Sequence, residues 1–278
     1  MFKIMNKTVV SFIGAGSMAE AIIAGMTAKE IVPTDQIIAT NYSNKERLQH
    51  LENKYQIQTT QNRIEAVEKS DVVILAMKPK DIQVAVEELR GAITENHIVV
   101  SLLAGISSAY LESLLQKEVP VIRVMPNTSA TIGLSATTIA KGAYAQLEHV
   151  ELVNNLMQSI GLTAIIGEDE MDAYTALAGS APAFYYYMVE AMEQFALDHG
   201  LSLDTAKPLM MQTIKGVGEM LAVSEETPET LRRKITSPGG TTEAGIQSLS
   251  DAGFQEIVLA CLNRTTKRSE EMRSELEK

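Results

Sequence analysis

The chain has 278 residues, 45% hydrophobic and 21% charged, enough for one large domain or two smaller ones with a buried core. A formal net charge of −11 excludes nucleic acid and anionic membranes as principal partners, because both require a basic surface. The single cysteine, Cys261, excludes an intrachain disulfide and reads as a small core residue.

The opening MFKIMNKTVV leads straight into a strand pattern and lacks the apolar run and cleavage site of a signal peptide. The most apolar long segment, 181–197, contains Pro182, Glu190 and Glu193, which a membrane span would not tolerate. These features predict a cytoplasmic protein.

In chain order, strands are predicted at 8–13 (TVVSFI), 36–40 (QIIAT), 71–76 (DVVILA), 97–102 (HIVVSL), 119–124 (VPVIRV) and 134–140 (LSATTIA). Several are nearly continuous apolar runs, the signature of strands buried on both faces of a parallel sheet. Helical patterns such as MAEAIIAGMTAKE and AYLESLLQKE fall between them, so 1–165 is expected to form a Rossmann-like, doubly wound, mostly parallel sheet. From about Met171 the strand pattern stops, and an all-helical domain is expected over 166–278. Its final helix begins with an apolar stripe of Phe254, Ile257, Val258, Cys261 and Leu262; the last dozen residues, polar all round, are expected to be a solvated end. So many apolar faces in so short a segment suggest that some meet a second subunit, with simple core packing as the plainer account.

Gly14-Ala15-Gly16-Ser17-Met18-Ala19 follows the first predicted strand and opens the first predicted helix. In that G-x-G-x-x-A pattern Gly14 permits the tight turn, Gly16 lets backbone approach a pyrophosphate, and Ala19 lets the helix press on the sheet. The helix start supplies N–H groups for the phosphates. After the second strand the chain reads Asn41-Tyr42-Ser43-Asn44, with Lys45 and Arg47 behind; no acid is present to hold a ribose 2′-hydroxyl and repel a 2′-phosphate. NADP(H) is therefore preferred, with NAD(H) as the alternative. Lys45 and Arg47 read equally as a solvated helix face. Ala76-Met77-Lys78-Pro79 and Pro126-Asn127 end further strands, on the edge where such sheets bind ligands. The four histidines, His50, His97, His149 and His199, fall outside every motif and read as surface residues.

In the second half, Pro238-Gly239-Gly240 breaks a helical region and Thr241-Thr242-Glu243 opens a new helix. Two glycines at a helix start can present N–H groups to a small carboxylate. An ordinary Ser-Pro-Gly-Gly turn is the bland account of the same residues.

Taken together, FIGAGSMAEAI, AMKP, RVMPNT, ALAGSAPAF and SPGGTTEAGI resemble the Δ1-pyrroline-5-carboxylate reductases over nearly the whole chain. The resemblance implies reduction of a cyclic imine to L-proline, the last step of proline biosynthesis, by a homodimer formed through the C-terminal helices, with further assembly left open. It implies that Thr242 is the catalytic hydrogen-bonding group and that Glu168, Glu225, Ser237, Gly239, Gly240 and Thr241 join it at the substrate. Cofactor contacts are implied for Ile13, Gly14, Ala15, Gly16, Ser17, Met18, Asn41, Ser43, Asn62, Ala76, Met77, Lys78, Pro79 and Ala104. No metal is implied. The chain departs from the family pattern at Tyr42, where many bacterial relatives have Arg, at Ser129, often Pro, and at Ala181, often Gly. Two competing readings are a β-hydroxyacid-dehydrogenase-like oxidoreductase and a non-catalytic NAD(P)-sensing regulator. The first needs a lysine and an asparagine on the first long helix of the second domain, and AYTALAGSAPAFYYYMVEA has neither. The second has no use for a second ligand loop.

Overall fold

The computed structural model describes residues 8–277; residues 1–7, expected to lead into the first strand, lie outside the described residues. The chain divides into two compact units: residues up to Pro182 rejoined by those from Asn263, and Ala183–Leu262. A boundary at 165/166 was expected from the loss of strand pattern; the first unit instead keeps the short helices that follow the last strand.

The first unit is built on one sheet of β1 (Val10–Ile13), β2 (Ile37–Thr40), β3 (Gln58–Thr60), β4 (Val72–Leu75), β5 (Ile98–Ser101), β6 (Val121–Met125), β7 (Ser135–Lys141) and β8 (Gly161–Ile165). Its order is β3-β2-β1-β4-β5-β6-β7-β8, parallel throughout except for the β6–β7 pair. The helices are α1 (Ser17–Ala28), α2 (Lys45–Tyr55), α3 (Arg63–Glu68), α4 (Ile82–Leu89), α5 (Ser108–Leu115), α6 (Leu147–Met157) and α7 (Met171–Tyr174). The apolar runs form buried strands because successive side chains feed opposite layers. Phe12, Ile74, Val100 and Val124 meet α1, α2 and α6; Ile13, Val73, Leu75, Val99 and Val121 meet α3, α4 and α5. Each fully buried Phe, Ile or Leu contributes about 1.5–3 kcal/mol. The doubly wound, mostly parallel fold is the one the sequence predicts.

Two strands escaped that reading, and both are edges. β3 is the polar Gln58-Thr59-Thr60, and β8 exposes Leu162 and Ile165. Neither gives the continuous apolar run of a strand covered on both faces.

One charge is buried in this sheet. Arg123, in the middle of β6, is fully buried and donates from Nη1 to Glu168 Oε1 at 3.1 Å. The same carboxylate oxygen accepts the Ser108 N–H at 3.1 Å, at the start of α5. Nearby, a π-helical stretch, Thr175–Ser180, runs into α8 (Ala181–Asp198), the first helix of the second unit. The Asn127 amide, after β6, donates to Ala178 O within that stretch at 3.1 Å. A π-turn loosens the regular helical ladder, so a side-chain partner for a carbonyl is physically reasonable here.

Three sequence expectations need correction. The polar end of α12 (Phe254–Leu276) is not solvated all round. Ser269 is buried and donates to Asp172 Oδ1 at 2.7 Å, and Arg273 pairs with Asp172 Oδ2 at 3.0 Å. Glu277 accepts the Ser107 N–H at 2.7 Å, and Leu276 packs on the α4–α5 layer. The docking stripe was invisible because its anchors are polar. His97 is buried rather than on the surface: Nε2 lies 3.1 Å from Val67 O, and Nδ1 accepts the Thr94 N–H at 2.9 Å. Cys261 is only half-buried, not a core residue.

The second unit consists of α8, α9 (Leu203–Val223), α10 (Pro228–Lys234), α11 (Thr241–Asp251) and the start of α12. Among its described residues only Ala196 is buried. Tyr185, Tyr186, Tyr187, Phe195, Val217 and Met220 all stand exposed. Among the described residues no helix is long and apolar enough to cross a membrane.

Removing the carboxylate that answers Arg123 leaves a buried uncompensated charge. Glu168→Ala is expected to lower unfolding free energy by about 3–5 kcal/mol, and Arg123→Met in the same chain to recover much of that loss. Urea unfolding of both variants checks it; equal destabilisation of single and double variants would contradict the account.

Candidate dinucleotide and substrate sites

The strand order reverses between β1 and β4, and the turn after β1 sits where they part. The Gly14 N–H donates to Thr40 O at 3.2 Å and the Ala76 N–H to Ile13 O at 3.0 Å, tying the three strand ends together. Gly14 has a φ of +116°, and a Cβ there would stand 2.6 Å from Ala76 O. Only glycine fits. At Gly16 a Cβ would meet nothing closer than Ala76 O at 4.0 Å, so it would project into the space the turn leaves open. The first backbone bond of α1 runs from the Glu20 N–H to Gly16 O at 3.0 Å, which leaves the preceding N–H groups at the turn. The geometry is that of a phosphate-binding turn at a topological switch point.

A crevice of about 310 Å³ lies there, lined by Ile13, Gly14, Ala15, Gly16, Asn41, Ala76, Met77 and Lys78, and also by Tyr42 and Arg63. The first eight were expected; the last two were not in the expected set. Of the other expected cofactor residues, Ser17 and Met18 open α1 beside the cradle, and Met18 packs against the core. Ser43 donates its N–H to Asn41 Oδ1 at 3.2 Å, Asn62 caps α3 by accepting the Glu65 N–H at 3.2 Å, and Pro79 begins a 3-10 turn. Ala104 packs toward Met125, Ala140 and Met171. The first five lie in turns and helix starts next to lining residues without lining the crevice themselves, and Ala104 packs in a separate apolar cluster.

Arg47 has a different task from the phosphate contact its position suggests. Its Nε donates to Ala15 O at 2.8 Å, and its Nη2 sits 2.6 Å from Glu20 Oε2. It braces the glycine turn from behind. Glu20 also accepts from Lys54 Nζ and the Tyr55 hydroxyl, both at 3.0 Å. Burial alone would raise the Glu20 carboxyl, but hydrogen bonds from Lys54, Arg47 and Tyr55 outweigh it and hold it down at about 2. Asn44 meanwhile caps α2 by accepting the Arg47 N–H at 2.8 Å.

The substrate residues implied by resemblance fall in both units. Glu168 belongs to the first, where its carboxylate is engaged by Arg123 and the Ser108 N–H. That structural partnership accounts for an acid at this position without a ligand. In the second unit, Ser237, Thr241 and Thr242 are exposed around the turn between α10 and α11, and Glu225 is exposed before α10. The helix break and restart fall where the sequence places them, with Gly239 at φ +72°. The expected use of the glycine N–H groups is corrected. The Gly239 N–H donates to Glu243 Oε2 at 2.7 Å and the Gly240 N–H to Ser237 O at 3.0 Å. The first bond of α11 runs from the Ala244 N–H to Gly240 O, so the N–H groups of Thr241, Thr242 and Glu243 are the ones that face the turn end. A carboxylate of the chain's own already sits where an anion was expected. Among the described residues no group of three or more His, Cys, Asp or Glu side chains is placed to hold a metal ion.

Fold and crevice define a dinucleotide-dependent oxidoreductase with an added helical unit. Residues 9–105 match the family model described as NADP oxidoreductase coenzyme F420-dependent, and residues 168–272 match pyrroline-5-carboxylate reductase dimerisation. Pyrroline-5-carboxylate reductase 1 of Bacillus subtilis is 41% identical over all of this chain and 94% of its own length. The solved pyrroline-5-carboxylate reductase of Coxiella burnetii aligns over 96% of this chain and 99% of its own, at 32% identity and a TM-score of 0.89. The Plasmodium falciparum pyrroline carboxylate reductase, solved with NADP bound, aligns over 97% and 99% at 25% identity and a TM-score of 0.88. The chain belongs to the pyrroline-5-carboxylate reductase family.

Because the space beside Gly16 is open, Gly16→Val should fold normally yet lose NADPH affinity by about 100-fold or more, its side chain filling the pyrophosphate approach. Calorimetric titration with an unfolding curve as control is the measurement; near-native affinity would move the cofactor elsewhere.

Proposed function

We infer that this protein reduces Δ1-pyrroline-5-carboxylate to L-proline with hydride from NAD(P)H, completing proline biosynthesis in the cytoplasm. The observation that carries the reading is the two-glycine turn that opens α11 with Thr241 and Thr242, in a chain whose other unit holds a dinucleotide cradle. The cradle fits the cofactor: a Cβ at Gly16 would enter it, and Lys78 and Arg63 line it with positive charge. When bound there, the reduced nicotinamide supplies the hydride.

The residues' part in the chemistry is modest. A cyclic imine is basic enough to arrive protonated, so reduction adds hydride to the iminium carbon, sends the C=N electron pair to nitrogen and yields a neutral amine. No alkoxide forms and no strong proton donor is required. Thr242 offers its hydroxyl oxygen to the iminium N–H and orients the ring. The N–H groups at the start of α11 receive the substrate carboxylate beside Glu243. Ser237, Thr241 and Glu225 complete the surroundings. In this reading Glu168 acts by fixing Arg123.

NADPH is the preferred reductant, supported by the lack of an acid after β2 and by a relative solved with NADP. The protein works as a homodimer through its C-terminal helices. A helical unit with one buried side chain has no interior of its own, and burying its tyrosines and methionines against a second copy supplies one.

Steady-state oxidation of NADPH and NADH with pyrroline-5-carboxylate tests the activity directly. Thr242→Ala should cut kcat by about 10- to 100-fold, the loss of one hydrogen bond of about 1–3 kcal/mol, with cofactor affinity intact. Unchanged kinetics would remove Thr242 from the reaction. Sedimentation beside activity assays in a dilution series should show both falling together. A fully active monomer would overturn the dimer.

A further inference from the structure

We propose that Arg63, delivered from the start of α3 and held over the Tyr42 ring, is the residue that recognises the 2′-phosphate of NADP. The proposal rests on the NADPH preference argued above and assigns it to a side chain.

In this fold the adenosine ribose lies at the carboxyl end of β2, so its 2′ position faces whatever surrounds Asn41 to Asn44. Four cations are near in sequence or space; Lys78 lines the crevice too, but it follows β4, on the far side of β1 from β2. Arg47 is committed: its guanidinium is divided among Ala15 O, Gly16 O and Glu20 behind the glycine turn. Lys45 is the first residue of α2, exposed, and does not line the crevice. Arg63 does line it, together with Asn41 and Tyr42.

The topology explains how a residue so far along the chain arrives there. β3 pairs in parallel with β2, Thr60 lying opposite Thr40, so the chain leaving β3 emerges beside the end of β2. Asn62 caps the helix that follows, and Arg63 is its first residue. The Arg63 guanidinium lies over the Tyr42 ring, Cζ 5.1 Å from its centroid. Tyr42 is exposed and lines the crevice, so its ring holds Arg63 at the crevice wall, where the Arg63 side chain keeps 18% of its surface open. Among the described residues Arg63 makes one ion pair, Nη1 to Glu88 Oε2 at 3.2 Å, with side chains 18% and 40% exposed. A single-bond pair with a partly exposed carboxylate leaves the rest of the guanidinium to other acceptors, and the planar fork suits a phosphate that accepts two parallel hydrogen bonds. Tyr42 thus has a role of its own, as the platform on which the guanidinium rests.

The test is calorimetric binding of 2′,5′-ADP and 5′-ADP to the full-length protein and to Arg63→Gln, Arg63→Lys and Lys45→Gln. Wild type should prefer 2′,5′-ADP by about tenfold or more, and Arg63→Gln should lose that preference while 5′-ADP binding stays within about threefold. Arg63→Lys, keeping charge without the fork, should retain part of the preference, and Lys45→Gln all of it. Retained discrimination in Arg63→Gln, or its loss in Lys45→Gln, would overturn the proposal alone. Equal loss of both probes in both Arg63 variants would also overturn it, since the effect would then not belong to the 2′-phosphate. A wild type that binds the two probes equally would overturn the proposal and the NADPH preference together, while leaving imine reduction with NADH to be measured separately.

Discussion

The close approach of Gly14 to the backbone of Ala76 is the constraint on which the cofactor end of this protein depends. With a Cβ excluded at 2.6 Å from a carbonyl oxygen, the turn after β1 can press against the end of β4, and the crevice begins where they separate. Everything around it is support. Arg47 holds the carbonyls of Ala15 and Gly16, Glu20 holds Arg47, and Lys54 and Tyr55 hold Glu20. A glycine turn has little rigidity of its own, so the stiffness a phosphate site needs comes from this chain of charge-assisted bonds on α1 and α2.

The same division between a permissive backbone and a fixed surrounding recurs in the helical unit. Gly239 adopts the left-handed region, and its N–H is held by Glu243 four residues on. The turn is therefore shaped before any ligand arrives. The carboxylate that shapes it stands at the start of α11, beside the N–H groups to which the proposed function assigns the substrate carboxylate. On that proposal, a substrate with a cationic nitrogen next to its carboxylate is favoured, because the iminium offsets the repulsion from Glu243.

Much of this was legible in the sequence wherever burial is apolar and two-sided. The core strands announced themselves as runs such as VVIL, and the glycine turns by their spacing between strand and helix. What stayed hidden was held by polar partners. β3 is three polar residues on an edge. The end of α12 docks through Ser269 and Arg273 on one aspartate, and His97 is buried with both nitrogens facing backbone groups. Arg47 sat in a plausible position for a phosphate but had a carboxylate waiting on another helix. Arg63 was hidden for a further reason: its closeness to Tyr42 depends on pairing β3 with β2, and β3 itself gives no pattern to read.

The docking of α12 bears on the order in which the molecule is completed. Asp172 is joined to Ser269 across 97 residues, and Ser107 to Glu277 across 170. During vectorial synthesis the sheet and its helices leave the ribosome first, with a buried aspartate still lacking its hydroxyl and guanidinium partners. The whole second unit must then be translated before those partners emerge. At roughly 5–20 residues per second, that interval lasts several seconds at least. For that time the nascent chain carries an unfinished seam in its sheet domain, and the helix made last acts as its clasp.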